Sequence, residues 1–297
     1  MTSGYQVLTE AQEQEFLDNG FVVIHDCFTP EAAAEYTDHV WTRLGYDPDD
    51  QSTWAQSSIH MPSHHRFDVG EFAPKAWQAA CDLLGGEDRI AKPYVWGDGF
   101  IVNLREGADL PWQPASAQAR GWHKDGDFFR HFLDSPEQGL LTLVLWSDVQ
   151  HQGGATFVAA DSVGPVARYL AERPGGVLPN EFDVPGLVGQ CENFVEATGR
   201  IGDVFLLHPF VLHAKAQNLL RLPRLITNPP VHLAEPMRFD RENPEDFSLV
   251  ERAVLRGLGV EPHEFVRTAP REAVVPERVR RQERMKAEEE ARLSGRR

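Results

Sequence analysis

The chain has 297 residues, of which 41% are hydrophobic and 25% charged, proportions that exclude a disordered chain and fit one large globular domain. Its formal net charge of −16, with no stripe of Lys and Arg residues, argues against binding to a phosphate backbone, so we expect no nucleic-acid partner. No apolar run approaches the roughly 18 residues of a membrane helix, and residues 1–5 lack the basic and apolar parts of a signal peptide, so we expect a cytoplasmic protein without a membrane partner.

The first predicted elements are a helix, a strand and a second helix. Thr9 and Gln12 form a capping box that opens a short helix, and Gly20 ends that helix. The β-branched and aromatic run at 21–24 predicts a strand. Pro30 is typical of the first turn of the next helix.

The segment from about residue 47 to residue 98 has an irregular pattern, and we predict one helix in it, over 74–84. The segment also contains three histidines close together, at His60, His64 and His65. They could form a second metal site, but they lack the ordered spacing of metal ligands. A polar loop or lid is therefore the favoured interpretation.

From residue 100 onward, short runs rich in β-branched and aromatic residues predict strands. The runs cover 100–104, 140–146, 155–158, 204–208 and 225–232. Turn-forming segments separate them, and we predict no regular helices between them. Such a pattern is typical of an antiparallel sandwich or barrel, whose core would extend over about 100–235.

Beyond residue 270 the composition changes, and residues 277–297 alternate charges with almost no apolar residues. This predicts a domain over 1–268, followed by a charged helix or tail over 269–297. We expect that last segment to be solvated and to have no catalytic role.

Two candidate metal ligands lie close together at His123 and Asp125. Because they are two residues apart, their side chains would project to the same side of an extended chain. An imidazole nitrogen and a carboxylate oxygen are donors of the facial triad of non-haem iron(II) oxygenases, which leaves three coordination positions open. Among the twelve histidines, only His123 has Asp or Glu two residues later.

The apolar strand after residue 203 leads to two further histidines, His208 and His213. They are an odd number of residues apart, so only one of them would reach the metal if the segment stayed extended. Downstream, Arg221 and Arg224 each offer a guanidinium group for the far carboxylate of a dicarboxylate co-substrate. The residues alone leave both choices open.

From Leu8 to about His232, the chain resembles the phytanoyl-CoA dioxygenase family of iron(II)- and 2-oxoglutarate-dependent oxygenases. The opening of the chain is similar to the family's N-terminal helix and strand, and the His-x-Asp pair is followed by a similar strand and Gly-Gly turn. The distal stretch is the most specific part of the resemblance. In the family's order and spacing, it contains Gly202-Asp203, His208-Pro209, His213, Gln217-Asn218 and Arg224.

The resemblance implies a double-stranded β-helix, a jelly roll of the cupin type that is mainly β with flanking helices. It selects His213 over His208 as the third ligand beside His123 and Asp125. It also selects Arg224 as the anchor for 2-oxoglutarate. The implied cofactors are Fe(II), 2-oxoglutarate and O2.

Three further residues are candidate contacts for 2-oxoglutarate. Asn103 and Thr156 could supply polar contacts, and Trp146 could form a wall of the pocket, although each could equally be an ordinary structural residue. The family usually has a small hydroxyl residue two places after the distal histidine, whereas this chain has Lys215, so the details of anchoring stay open. On the substrate side the candidates are Trp122, Lys124, Phe128 and His131, together with the loop over 60–66.

The predicted function is a 2-oxoglutarate-dependent dioxygenase that hydroxylates a small metabolite or natural-product intermediate and releases succinate and CO2. Asp125 favours hydroxylation or desaturation, because halogenating relatives replace this carboxylate with a small residue. Two alternatives stay open. One is a cupin-like metalloenzyme that does not use 2-oxoglutarate, against which Arg224 counts; the other is a non-catalytic metal-binding protein, in which a ligand would be missing. The acidic chain argues against a CoA thioester, and the oligomeric state stays open.

Overall fold

The computed structural model describes residues 7–260 and 262–295. Residues 1–5, on which we based the expectation of no signal peptide, lie outside these ranges. Within them, no helix combines the length and the apolar character that a membrane span requires.

The N-terminal elements lie where the sequence predicted them. Thr9 and Gln12 form the reciprocal capping box, and Gly20 ends the first helix in a left-handed conformation. The elements are α1 (Glu10–Asn19), β1 (Phe21–Ile24), α2 (Pro30–Thr37) and α3 (Val40–Leu44).

The irregular region contains short strands and two helices. They are β2 (Ser58–His60), β3 (Arg66–Asp68), α4 (Val69–Phe72), α5 (Pro74–Leu84) and β4 (Val95–Gly97). Helix α5 confirms the predicted helix. The strands have three residues each, which is too short to produce a recognisable alternation of apolar and polar residues.

Eight more strands and two helices follow. They are β5 (Ile101–Asn103), β6 (Leu140–Leu145), β7 (Thr156–Ala159), α6 (Val163–Ala171), α7 (Val184–Val188), β8 (Phe194–Ala197), β9 (Val204–Leu207), β10 (Leu212–Lys215), β11 (Arg224–Thr227) and β12 (Pro230–Val231). The predicted strand runs are confirmed, whereas the expectation of no helices between them was wrong. Helix α6 buries an apolar side and packs on α8 (Leu249–Leu258).

Two antiparallel sheets contain most of the strands, and β3 and β4 pair in a separate two-stranded sheet. The larger has the order β1-β9-β6-β11-β5-β2, with β12 beside β6, and the smaller has the order β10-β7-β8. An isolated bridge joins His123 to His213 at the free edge of β10. With this segment counted as a strand, the chain from β5 to β11 passes alternately between the two sheets, apart from the β7–β8 hairpin. This connectivity confirms the predicted double-stranded β-helix.

An aromatic cluster covers one face of the larger sheet. Trp146 lies in its centre and donates a hydrogen bond from Nε1 to Thr227 Oγ1 at 2.9 Å. Because side chains alternate along β11, Thr227 and Arg224 project to opposite faces. The aromatic rings around Trp146 belong to Phe28, Tyr36, Phe67, Phe72 and Phe100. The candidate residues on the face of Arg224 therefore lie on the other side of the sheet.

The charged C-terminal segment is packed against the domain, which corrects the prediction of a solvated helix or tail. It forms helix α9 (Glu277–Leu293). Glu289 is only 1% exposed and contacts Arg43 Nε at 2.8 Å and His64 Nε2 at 2.9 Å. Arg43 is itself buried and also donates to Asp98. The charge pattern could not reveal this contact, because the partner lies 246 residues away in the sequence.

Candidate metal centre

Three predicted ligands converge at the free edge of the smaller sheet. His213 lies in β10, and His123 exchanges backbone hydrogen bonds with it at 2.9 and 3.0 Å. Asp125 Oδ1 lies 3.4 Å from His123 Nε2 and 3.5 Å from His213 Nε2. Ligand atoms about 2.1 Å from one ion are about 3 Å apart in octahedral geometry, so a small inward movement would place all three around one metal.

The two histidine rings present the same nitrogen to this centre. His123 Nδ1 donates to the carbonyl oxygen of Gly121 at 2.9 Å, and His213 Nδ1 donates to that of Val211 at 3.3 Å. A carbonyl oxygen can only accept, so these contacts place the ring proton on Nδ1. In the neutral form of each ring, Nε2 therefore carries the lone pair that a metal needs.

Asp125 is held by a residue that the sequence did not predict. Its Oδ2 accepts a hydrogen bond from Asn228 Nδ2 at 2.8 Å, which leaves Oδ1 directed at the two histidines. Burial alone would raise the pKa of Asp125, but the neighbouring His213 and His123 hold that pKa well below its usual range. The carboxylate is therefore charged and positioned to bind a metal through one oxygen.

His208, the alternative third ligand, lies outside this group. Its Nδ1 accepts a hydrogen bond from the backbone N–H of Phe210 at 3.0 Å, and its Nε2 donates to the carbonyl oxygen of Val250 at 3.2 Å. Both ring nitrogens are therefore occupied by the backbone. Burial also lowers the pKa of His208 to about 3, so the ring is a neutral core residue.

The loop histidines do not form a second metal site. His64 contacts Glu289, and His65 Nδ1 contacts Asp98 Oδ2 at 3.0 Å. Over residues 7–260 and 262–295, the only group of three metal-binding side chains within 4.8 Å of one another is His123, Asp125 and His213.

Arg224 places a buried positive charge near the centre. It begins β11, is 2% exposed, and donates from Nε to the Gly154 carbonyl at 2.7 Å and from Nη1 to the Ile101 carbonyl at 3.2 Å. No described carboxylate pairs with it. Burial lowers the pKa of Arg224 to about 9, so the guanidinium stays charged at neutral pH. A buried cation with only neutral acceptors fits an anionic ligand.

Gly154 allows the side chain of Asn103 to lie close to the turn. Gly154 has φ +82°, and a Cβ atom there would come within 2.8 Å of Asn103 Nδ2. Asn103 stands opposite Arg224 in the sheet register, but its amide donates to the Ala216 carbonyl at 3.2 Å and accepts from the Glu106 N–H at 3.0 Å. The amide of Asn103 therefore holds neighbouring backbone in place.

The remaining predicted contacts lie in different surroundings. Thr156 stands opposite Lys215 in the β7–β10 register and is 9% exposed. Lys215 donates to Ser58 Oγ at 2.9 Å and to Glu106 Oε2 at 3.1 Å, so its ammonium group is already paired. Trp146 belongs to the aromatic cluster on the other face, which places it outside the candidate pocket.

Two of the predicted substrate-side residues form a pair inside the protein. Lys124 Nζ contacts His131 Nδ1 at 3.0 Å and donates to the Asp125 carbonyl at 3.1 Å. Burial lowers the pKa of Lys124 to about 7 and holds that of His131 well below its usual value. Lys124 lies between the two ligands of the His-x-Asp pair and points away from the centre.

A family model described as Phytanoyl-CoA dioxygenase (PhyH) matches residues 16–220. The chain belongs to the phytanoyl-CoA dioxygenase family. Membership places the chain in the class of iron(II)- and 2-oxoglutarate-dependent oxygenases that the resemblance implied. The matched range contains His123, Asp125 and His213, and it ends before Arg224 and Asn228.

Several solved structures are similar to this member of the phytanoyl-CoA dioxygenase family. EctD from S. alaskensis, solved with 2-oxoglutarate and 5-hydroxyectoine, is 19% identical, with 79% of this chain and 78% of that chain covered and a TM-score of 0.45. The epimerase SnoN, in complex with Fe3+, alpha ketoglutarate and nogalamycin RO, is 19% identical, with 91% and 96% covered and a TM-score of 0.44. HygX from Streptomyces hygroscopicus, with nickel and 2-oxoglutarate bound, is 18% identical, with 80% and 93% covered and a TM-score of 0.41. No curated protein matches this chain.

Proposed function

We propose that His123, Asp125 and His213 bind iron(II) and that Arg224 binds the distal carboxylate of 2-oxoglutarate. The observation that carries this proposal is the buried guanidinium of Arg224, which lacks a carboxylate partner among the described residues. Arg224 lies on the same sheet face as Asn228, which holds the candidate ligand Asp125.

The donor set fits the proposed metal. Two imidazole nitrogens and one carboxylate oxygen suit iron(II) and leave three positions for a chelating keto acid and dioxygen. By occupying Oδ2 of Asp125, Asn228 favours binding through Oδ1 alone, which keeps those positions free. When bound, iron with its co-substrate supplies the oxidation of a C–H bond, and the chain supplies ligands and orientation.

The proposed reaction is hydroxylation of a small molecule. Asp125 occupies the position that halogenating relatives leave to chloride, which supports oxygen insertion. Polar side chains near the candidate centre carry both charges: Ser58, His60, Glu106, Asp127, Lys215 and Arg278. Together with the net charge of −16, these side chains support a small polar metabolite or biosynthetic intermediate rather than an acyl-CoA. A cytoplasmic location and the absence of a nucleic-acid partner stay predictions from the sequence.

The other candidates have less support. A cupin-like enzyme without 2-oxoglutarate has no use for the buried charge of Arg224. A non-catalytic metal-binding protein would tolerate loss of a ligand, whereas here all three side chains converge.

Succinate release tests the proposed function. We expect at least one member of a panel of small polar metabolites to stimulate succinate formation that requires both iron(II) and 2-oxoglutarate. Mass spectrometry should then show a product heavier by one oxygen atom. The matched control is His213→Ala, which should form neither product.

Each contrary result has a separate meaning. A product lighter by two hydrogens would overturn hydroxylation in favour of desaturation. Turnover that does not require 2-oxoglutarate would favour the cupin-like alternative.

A further inference from the structure

His60 lies at the end of strand β2, on the same sheet face as Arg224. It stands opposite Ile101 in the β2–β5 register, and Ile101 stands opposite Ile226 in the β5–β11 register. Residues directly opposite each other share a sheet face, and Ile226 and Arg224 are two residues apart, so His60 shares the face of Arg224. The side chain is exposed, and its ring makes no hydrogen bond, ion pair or ring contact with another described residue.

Charged side chains of both signs lie around His60. Although the His60 side chain reaches solvent, desolvation by the protein around it lowers its pKa, and the cations Lys215, Arg224 and Arg278 lower it further, while Asp125 acts in the opposite direction. The ring is therefore neutral at pH 7 and can donate a hydrogen bond from one nitrogen. Lys215 pairs with Glu106 and Arg278 pairs with Asp127, so among these cations only Arg224 lacks a described carboxylate partner.

Helix α9 places Arg278 close enough to His60 and Asp125 for their charges to interact. Its Nε and Nη2 donate to the two carboxylate oxygens of Asp127 at 2.6 and 2.7 Å, two residues after Asp125. The hydrogen bonds with Asp127 raise the pKa of Arg278, and the charge of Asp125 acts in the same direction. Arg278 is 48% exposed, and its Nη1 makes no hydrogen bond with a described residue. The Nε–Nη2 edge of the guanidinium is thus held by Asp127, and the N–H groups of Nη1 are available to a ligand.

We propose that His60 and Arg278 together bind a carboxylate group of the substrate. This inference rests on the proposed function, because the metal and Arg224 are taken to be occupied by iron and 2-oxoglutarate. A guanidinium N–H and an imidazole N–H are suitable donors for a carboxylate, and such charge-assisted hydrogen bonds are strong. Helix α9, which carries Arg278, lies outside the range 16–220 that matches the family model.

The test uses the full chain loaded anaerobically with iron(II) and 2-oxoglutarate. Small carboxylic acids, each paired with its own primary amide, are added while the visible charge-transfer band is recorded, because a ligand beside the metal perturbs that band. We expect at least one acid to bind where its amide does not. Arg278→Gln and His60→Ala should each weaken binding of that acid by about tenfold, the loss of one charge-assisted hydrogen bond.

Matched variants separate the proposed contact from a general effect on the helix or strand. Arg281→Gln alters the same helix, at a side chain that donates to Gln56, and should leave acid binding unchanged. His60→Gln keeps a donor and should retain most of the binding that His60→Ala loses.

Several results would contradict the proposal that His60 and Arg278 bind a carboxylate of the substrate. They are equal binding of acids and amides, no perturbation by any acid, or equal effects of the Arg278 and Arg281 variants. Weaker binding of 2-oxoglutarate itself in His60→Ala would assign His60 to the co-substrate instead. Absence of the band in the wild type would overturn the proposed function and this inference with it, whereas a normal wild-type band limits the failure to the pair.

Discussion

Replacement of Arg224 by Leu is expected to weaken 2-oxoglutarate binding by at least about thirtyfold, because truncation of one partner of a buried charge pair costs roughly 2–5 kcal/mol. The side chain is buried and has only carbonyl oxygens as partners, so no other described cation on this strand can take over the same position. Iron(II) affinity should change far less, since Arg224 contributes no ligand. Equilibrium titration with 2-oxoglutarate, and separately with iron(II), measures both quantities.

Arg221 provides the matched control for this prediction. It lies three residues away, is partly exposed, and pairs with Asp109 at 2.6 Å. Arg221→Leu should therefore leave 2-oxoglutarate binding close to that of the wild type. A large loss in Arg221→Leu, or a small one in Arg224→Leu, would contradict the assignment of the anchor.

Replacement of Glu289 by Ala is expected to destabilise the packing of helix α9 by roughly 3–5 kcal/mol, the usual cost of removing one partner from a buried ion pair. Glu289 lies between Arg43 and His64, and its removal leaves the buried Arg43 guanidinium with less compensation. Hydrogen exchange over 277–293 should rise sharply, because the helix can separate before the rest of the domain unfolds.

Glu288 is the control for this second prediction, because it is the exposed neighbour of Glu289 on the same helix. Glu288→Ala should leave hydrogen exchange over 277–293 unchanged. Similar exchange in both variants would mean that the buried contact does not hold α9 in place.

Local signals in the sequence predicted much of the fold. The capping box at Thr9 and the run at 21–24 act over a few residues, and both appear as predicted. Strand β8 (Phe194–Ala197) was missed because four residues with only partial burial give a weak pattern. Helix α6 was also missed, although its apolar side packs on α8, because the strands around it dominated the interpretation of that region.

The residues of the candidate site also fall into those with a recognisable sequence signal and those without one. His123 and Asp125 were recognisable from a spacing of two residues, and His213 and Arg224 from their resemblance to a family motif. Asn228 was not, since its contact with Asp125 joins residues 103 positions apart and an asparagine after a strand is common in ordinary turns. Helix α9 was misjudged because a run of charges looks the same whether it faces solvent or one of its carboxylates is buried.

Anaerobic titration of the purified protein with iron(II) and 2-oxoglutarate tests the assignment of the metal centre most directly. A keto acid chelated to iron(II) gives a weak visible charge-transfer band, and this band is expected for the wild type. His213→Ala removes one of three ligands and is expected to abolish it. No band with the wild type, or an unchanged band after His213→Ala, would contradict the assignment of His123, Asp125 and His213 as the iron site.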